Sequence, residues 1–204
     1  MYSLIRTCIG GIIFCCIVLR IKKSNKTHKN KIFFLAIIIS ITFITILAFI
    51  PFENIFITFA SPEKAFHYYQ GNKTKVKLVV NGKDSDLVIG EDDDVHIYLI
   101  VPKVANGWKI SNAINTKCIL YKTYNRINIG VHQYKNTNDY FVSILDMNGG
   151  YSQITDSFQS EFSALEQPMD VLEKTYVTYY TNIQDFTDEY WINVNGEKII
   201  VNAQ

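Results

Sequence analysis

VHIYLIVPKVANGWKI, residues 95–110, is a strand followed by the signature of a tight turn. Val95–Val101 holds Val, Ile, Leu and Tyr with one His and no charged residue, the composition that suits a pleated, half-buried surface. Asn106-Gly107 is a pair that tolerates the backbone of a hairpin turn, and Trp108–Ser111 then reads as the returning strand. This hairpin sets the class: a chain built from consecutive antiparallel strands.

The same grammar continues on both sides. Before it come strands at Lys75–Val80, closed by Asn81-Gly82, and at Ser85–Ile89. After it come Lys117–Tyr124, Arg126–Tyr134, Tyr140–Leu145 and Tyr151–Phe158, broken at Asn125, Asn136–Asp139 and Asn148-Gly149-Gly150. Ser160–Lys174 is less regular and is expected to hold a short helix on one side of Pro168. Strands at Tyr176–Asn182, Tyr190–Asn193 and Glu197–Val201 close the chain, the last two joined across Asn195-Gly196. One helix precedes all of these. Ser61 suits the N-cap, Pro62 the first helical position and Glu63 the positive end of the helix dipole. The helix runs through Tyr69 and stops near Gly71, with Ala65, Phe66 and Tyr69 on the face that packs on a sheet. Strands are evenly spread over residues 61–204, so one domain is expected there, with a subtle boundary at Ser111–Asn115 as the alternative.

Residues 1–60 differ in kind. They hold seven Lys/Arg against one acid, Glu53, whereas residues 61–204 hold thirteen Lys/Arg against eighteen acids. An acidic main part argues against a nucleic-acid partner, and a single Cys beyond residue 60 argues against a disulfide-stapled mini-protein. Ile32–Ile50, IFFLAIIISITFITILAFI, is nineteen residues without charge, Gly or Pro. As a helix it spans roughly 28 Å, close to the ~30 Å hydrocarbon core of a bilayer. Its Ser40, Thr42 and Thr45 hydroxyls can return their hydrogen bonds to the preceding turn. The weaker segment Met1–Leu19 also spans if Arg6 snorkels to the interface. A cleavable signal is a poor fit, because Arg20-Ile21-Lys22-Lys23 follows it in place of a small-residue cut site. The basic run Arg20–Lys31 between the two segments marks a cytoplasmic loop.

The expectation is therefore an α+β, mostly antiparallel β extracytoplasmic domain over 61–204, preceded by an N-terminal transmembrane helical hairpin over 1–60. Its helices lie at about residues 2–19 and 32–52, with the loop 20–31 inside, in a multi-pass protein of the cell membrane. Ile55–Ala60 is expected along the outer interface. Cys8, Cys15 and Cys16 read as apolar fillers of the first span, and Gly10-Gly11 permits close helix contact there. Few cysteines and a composition rich in Lys, Asn and Ile suggest a Gram-positive envelope.

SPEKAFHYY (61–69), HIYLIVPKVANGWKI (96–110), HQYKNTNDYFVSILD (132–146) and DEYWINVNGEKIIV (188–201) resemble uncharacterised small membrane-anchored extracytoplasmic proteins of low-GC Gram-positive bacteria. The resemblance implies a Pro-Glu-x-x-Phe helix followed by antiparallel strands over roughly residues 61–204. It implies no activity, cofactor or catalytic residue.

Chemistry is sparse. HExxH, CxxC, GxSxG, P-loop and GxGxxG patterns are all missing from the sequence, so no motif supports a familiar hydrolase, redox enzyme or nucleotide binder. Cys118 and His132 are candidates for a nucleophile and its base, but the alternation in KCILY reads as a half-buried core thiol. His67, His96 and His132 could converge on a metal, although each stands alone on its own element. Glu91-Asp92-Asp93-Asp94, with Asp84 and Asp86 nearby, is rich in oxygen but lacks EF-hand spacing and reads as a solvated turn. Twelve Tyr, five Phe and two Trp follow Ser61, mostly as core residues and secondarily as a platform for sugars or peptides. Trp108 and Trp191 are expected to cover hairpin ends. No catalytic, cofactor-binding or metal-binding residue is assigned. The function expected is a membrane-tethered, non-enzymatic surface module for binding, immunity, sensing or an accessory role. Its partners are the lipid bilayer and a peptide, a cell-wall component or another membrane protein, with an extracytoplasmic enzyme of unfamiliar site as the alternative.

Overall fold

In the computed structural model of the chain, residues 2–23, 29–49, 51–93, 95–111, 115–135, 137–169 and 174–201 are described. Two helices come first, α1 (Tyr2–Lys23) and α2 (Lys29–Phe49), in contact with each other. Gly10 of α1 and Ser40 of α2 are buried, and Gly11 is exposed. Thr42 and Thr45 donate to the carbonyls of Ile38 and Ile41, both at 2.9 Å.

Among the described residues no helix is long and apolar enough to cross a membrane. The last turn of α1 carries Arg20, Lys22 and Lys23, so only about 20 Å of uncharged helix lies between Arg6 and Arg20. This corrects the expected transmembrane hairpin. It also corrects the multi-pass assignment and the placement at a cell membrane with residues 61–204 outside. Of the loop expected over 20–31, residues 20–23 lie in α1 and 29–31 in α2, and 24–28 lie outside the described residues.

Ile55–Ala60 is corrected too. A 3-10 turn at Phe52–Ile55 leads to Phe59, whose N–H and carbonyl bond both ways with Trp108, at 2.8 and 2.9 Å. The segment is thus stitched to the sheet that follows.

That sheet has the order β1 (Lys75–Asn81), β2 (Ser85–Asp92), β3 (Val95–Val104), β4 (Gly107–Trp108). A second sheet holds β5 (Thr116–Tyr124), β6 (Ile127–Tyr134), β7 (Tyr140–Asp146), β10 (Lys174–Ile183) and β9 (Ser163–Met169), in that order. A third holds β12 (Glu197–Ile200), β11 (Trp191–Val194) and β8 (Ile154–Asp156). Every recorded pairing is antiparallel.

Side-chain alternation stacks the sheets. Helix α3 (Pro62–Gln70) opens with the Ser61 hydroxyl accepting from the Lys64 N–H at 3.3 Å. It lays Ala65 and Phe66 on Val88 and Val101 of the first sheet. Nine residues are too few to hold a helix by propensity. The fully buried Phe66, contributing about 1.5–3 kcal/mol, anchors it. Gly90 makes the room: a Cβ there would lie 2.6 Å from the Phe66 ring. On the opposite face Leu87, Ile89 and Ile100 meet Phe141 and Tyr180 of the second sheet. The far face of the second sheet, with Ile129, Val131, Val142, Ile144 and Val177, meets Ile192, Val194 and Ile199 of the third. The second sheet is therefore covered on both sides.

Three sequence expectations fail locally. Ser160–Lys174 holds β9, not a short helix, because seven residues pair with β10 from Ser163 to Met169; residues 170–173 lie outside the described ones. Pro168, without an N–H, is accommodated because β9 is an edge strand. The strand expected over Tyr151–Phe158 shrinks to Ile154–Asp156, since the Asp156 carboxylate accepts from the N–H groups of Phe158 and Ser160 and turns the chain. The strand after Trp108 stops early because the Ile110 N–H goes to the Asn54 side chain at 2.8 Å.

A candidate ligand cleft between two sheets

The second strand of the first sheet is buried from Ser85 to Gly90, but the two sheets do not stay in contact across their full width. Beside Leu87 and Phe141 they part and leave a cavity of about 240 Å³. His96 and Tyr98 of β3 form one wall. Asn128, Gly130 and His132, the even residues of β6, form the other, with Ser143 of β7, Thr178 and Tyr180 of β10 and Tyr121 of β5. The odd residues of β6, Ile127, Ile129 and Val131, point the opposite way into the lower core. Strand alternation alone thus delivers three polar or small side chains to the cleft. Tyr98 and Tyr121, 51% and 66% exposed, mark its mouth.

Gly130 belongs to the floor. A Cβ there would come within 2.8 Å of the Ser143 hydroxyl and 3.2 Å of the His132 ring, so glycine lets these two groups converge. The rings of Tyr98 and His132 lie 5.2 Å apart at a tilt of 54°, with the Tyr98 hydroxyl 3.4 Å from His132 Nε2. This contact bridges the two sheets at the cleft.

Electrostatically the cleft is neutral. Burial pushes the His132 imidazole below its ordinary value. Burial also lowers His96; Glu91 opposes this and Lys77 reinforces it. Glu91 lies 3.7 Å from His96 Nε2, too far for a hydrogen bond, and is held at 2.8 Å by Lys77. His96 Nε2 is consequently buried with no hydrogen-bond partner among the described residues. Tyr180 is raised by burial, partly offset by its bond to Thr178. Burial thus disfavours the charged form of both imidazoles, in a cleft lined by aromatic faces and hydroxyls.

Comparison of the chain with protein-family models, with curated proteins and with solved structures gives no match.

The residues singled out in the sequence divide sharply. His96 and His132 share the cleft, whereas His67 lies on α3 with Nδ1 3.3 Å from the Gly71 carbonyl. Among the described residues no group of three or more His, Cys, Asp or Glu is placed to hold a metal ion. Asp86 is fully buried far from the acidic turn, bonded to Lys103 at 2.8 Å and to the Trp108 indole N–H at 2.6 Å. Asp84 donates its backbone N–H to Asp139. Asp92 and Asp93 are exposed, and Asp94 lies outside the described residues. Trp191 lies under the Lys198 ammonium at 4.5 Å. Cys118 is exposed rather than half-buried, next to a bulge between Cys118 and Leu120. Its register partner is His132, yet its thiol donates to the Leu120 carbonyl at 3.4 Å. Cys8, Cys15 and Cys16 are free and exposed on α1. Sequence reasoning missed Tyr98, Gly130, Ser143 and Tyr180, whose one signal was the shared parity of polar residues on neighbouring strands.

Proposed function

We propose that this chain is a non-enzymatic binding module and that the cleft between the first two sheets is its ligand site. The observation that carries this reading is the buried Nε2 of His96, without a hydrogen-bond partner among the described residues, in the wall of an open aromatic cleft. An unsatisfied buried polar atom costs about 1–3 kcal/mol, and a ligand donor or acceptor recovers it. Aromatic faces for apolar contact and a few converging polar groups are the usual make-up of a small-ligand site. At about 240 Å³ the cavity falls below the ~300 Å³ floor for drug-sized ligands, so it takes one ring or one side chain of a longer ligand. Imidazoles whose charged form burial disfavours suit a neutral group there.

Arrays of linear peptides and of neutral oligosaccharides, followed by imidazole NMR of His96 and His132, test this. A binder should shift both imidazole resonances and lose at least tenfold in affinity in Tyr98→Ala. Binders that leave both resonances unmoved would overturn the assignment, as would the absence of any binder.

One observation favours an enzymatic reading: the β5–β6 register that sets Cys118 opposite His132. The thiol bonds away from the imidazole, and among the described residues no carboxylate is recorded within hydrogen-bond reach of His132. Equal rates of Cys118 alkylation in the natural chain and in His132→Ala would exclude this pair as a working nucleophile and base.

A further inference from the structure

Sheet edges are aggregation hazards, and most are guarded by charge, proline or brevity. Here β1 carries Lys75 and Lys77, β5 carries Lys117 and Lys122, β9 carries Glu166 and Pro168, and β12 carries Glu197 and Lys198. The strands β4 and β8 have two and three residues. One edge is different. β4 pairs only with Lys103 and Val104, so Val95–Val101 of β3 has no strand on that side among the described residues. It holds no charge and no proline.

We infer that this bare edge of β3 receives an extended peptide segment as an added strand, with one of its side chains seated in the adjoining cleft. The inference rests on the cleft being the ligand site. The Lys103 N–H donates to Asp84 across the β2 side, whereas the Pro102 carbonyl accepts from Lys109 on the other side. Alternation therefore turns the backbone groups of His96, Tyr98 and Ile100 to that side; Ile100 is buried, so His96 and Tyr98 are the residues that offer theirs to an added strand. The side chains of the same residues face the second sheet, Ile100 in the core and His96 and Tyr98 in the cleft. Backbone donors and acceptors thus stand beside the cleft that reads a side chain, the two components of strand addition. A neutral aromatic side chain fits best, because it can stack on the Tyr98–His132 pair and bond His96 Nε2. At the start of β3 the exposed Asp92 and Asp93 favour a basic residue where the peptide passes the β2–β3 turn.

The probe is a library of random linear nonapeptides displayed on phage and selected against the full chain. A selected peptide is then made with each backbone amide N-methylated in turn. Strand addition predicts losses of tenfold or more at alternate amides, little change at those between, and an aromatic residue shared by the binders. Losses without alternation, or no selected peptide, overturn it. A neutral oligosaccharide that shifts His96 and His132 when no peptide binds overturns strand addition but leaves the cleft assignment standing. Peptides that bind Tyr98→Ala and His132→Ala as well as the natural chain overturn the cleft assignment itself. A concentration-dependent dimer in sedimentation that excludes the peptides places a second copy on the edge and overturns the peptide as occupant.

Discussion

Replacing Asp139 should loosen the attachment of the first sheet to the second. Its carboxylate, fully buried, accepts from the N–H groups of Lys83, Asp84 and Ser85, each at 2.7 Å. It also accepts from the Ser85 hydroxyl at 3.0 Å and from the Gln184 amide at 2.8 Å. Asp139 immediately precedes β7, Gln184 follows β10, and residues 83–85 run from the β1–β2 turn into the first residue of β2, so one side chain ties two sheets together. Asp139→Ala leaves the buried Ser85 N–H without its acceptor, whereas Lys83 and Asp84 are exposed and their N–H groups can turn to water. The unpaired buried donor costs about 1–3 kcal/mol, and with the lost charge-assisted hydrogen bonds about 2–4 kcal/mol is expected in all. Asp139→Asn keeps the shape but turns an amide N–H₂ toward one of the donors, and should cost about 2–3 kcal/mol. Urea unfolding followed by circular dichroism measures both. The pH dependence is the sharper check. Burial raises this carboxyl, but the Gln184, Lys83, Asp84 and Ser85 donors together pull it below its ordinary value of 3.8. A depressed carboxyl contributes stability above the unfolded-state value and loses it as pH falls through the folded value. The gap between the natural chain and Asp139→Asn should therefore be full near neutral pH and shrink below about pH 4. A loss under about 1 kcal/mol for the alanine variant, or a gap that stays constant into acid, would show that the carboxylate is not the tie described.

Two further outcomes follow from the cleft and the lower core. His132 titrates below its ordinary value because it is buried, so its neutral form stabilises the fold above about pH 6.5 and that contribution is lost as pH falls. His132→Phe should flatten the decline in stability between about pH 7 and 5, as read by urea unfolding at each pH. Tyr190 is fully buried beside Asp156, its hydroxyl donating at 3.0 Å, and burial and the neighbouring carboxylate push its ionisation far upward. Tyr190→Phe should cost about 1–3 kcal/mol by thermal unfolding, because the Asp156 oxygen loses its donor; an unchanged midpoint would mean water replaces it.

The strands of residues 61–204 were legible where composition and turn residues agreed. Val95–Val101, Lys117–Tyr124 and Tyr176–Asn182 each lie within an observed strand, and Ser61-Pro62-Glu63 opens a helix. Where local preference opposes pairing, the sequence misleads. Ala164-Leu165-Glu166-Gln167 are good helix formers, and a ladder to β10 overrides them. Asp156 and Asn54 end strands by side-chain bonds from distant or turned backbone, which no window of composition reveals. The apolar leader misled differently. Its hydropathy over Ile32–Ile50 reads as a span, while the described residues of α1 and α2 supply no helix that crosses a membrane.

The cleft was hidden by the same alternation that builds it. INIGVHQY, the sequence of β6, reads as a strand with one buried and one wet face, since Ile127, Ile129 and Val131 alternate with Asn128, Gly130 and His132. In most antiparallel sheets that polar face meets water. Here the first sheet lies over it, close at Phe141 and Tyr180 and apart at His132, so the polar face becomes the wall of a cavity. Sequence shows which residues of one strand share a face. It does not show which sheet will cover that face, because sheet stacking depends on contacts such as Leu87 with Phe141 that lie far apart in the chain. That is why His96 and His132, thirty-six residues apart, read as two isolated imidazoles when they line one site. The parity of polar residues on β6, β7 and β10 is the one trace the cleft leaves in the sequence, and it becomes informative only once both faces of the middle sheet are known to be covered.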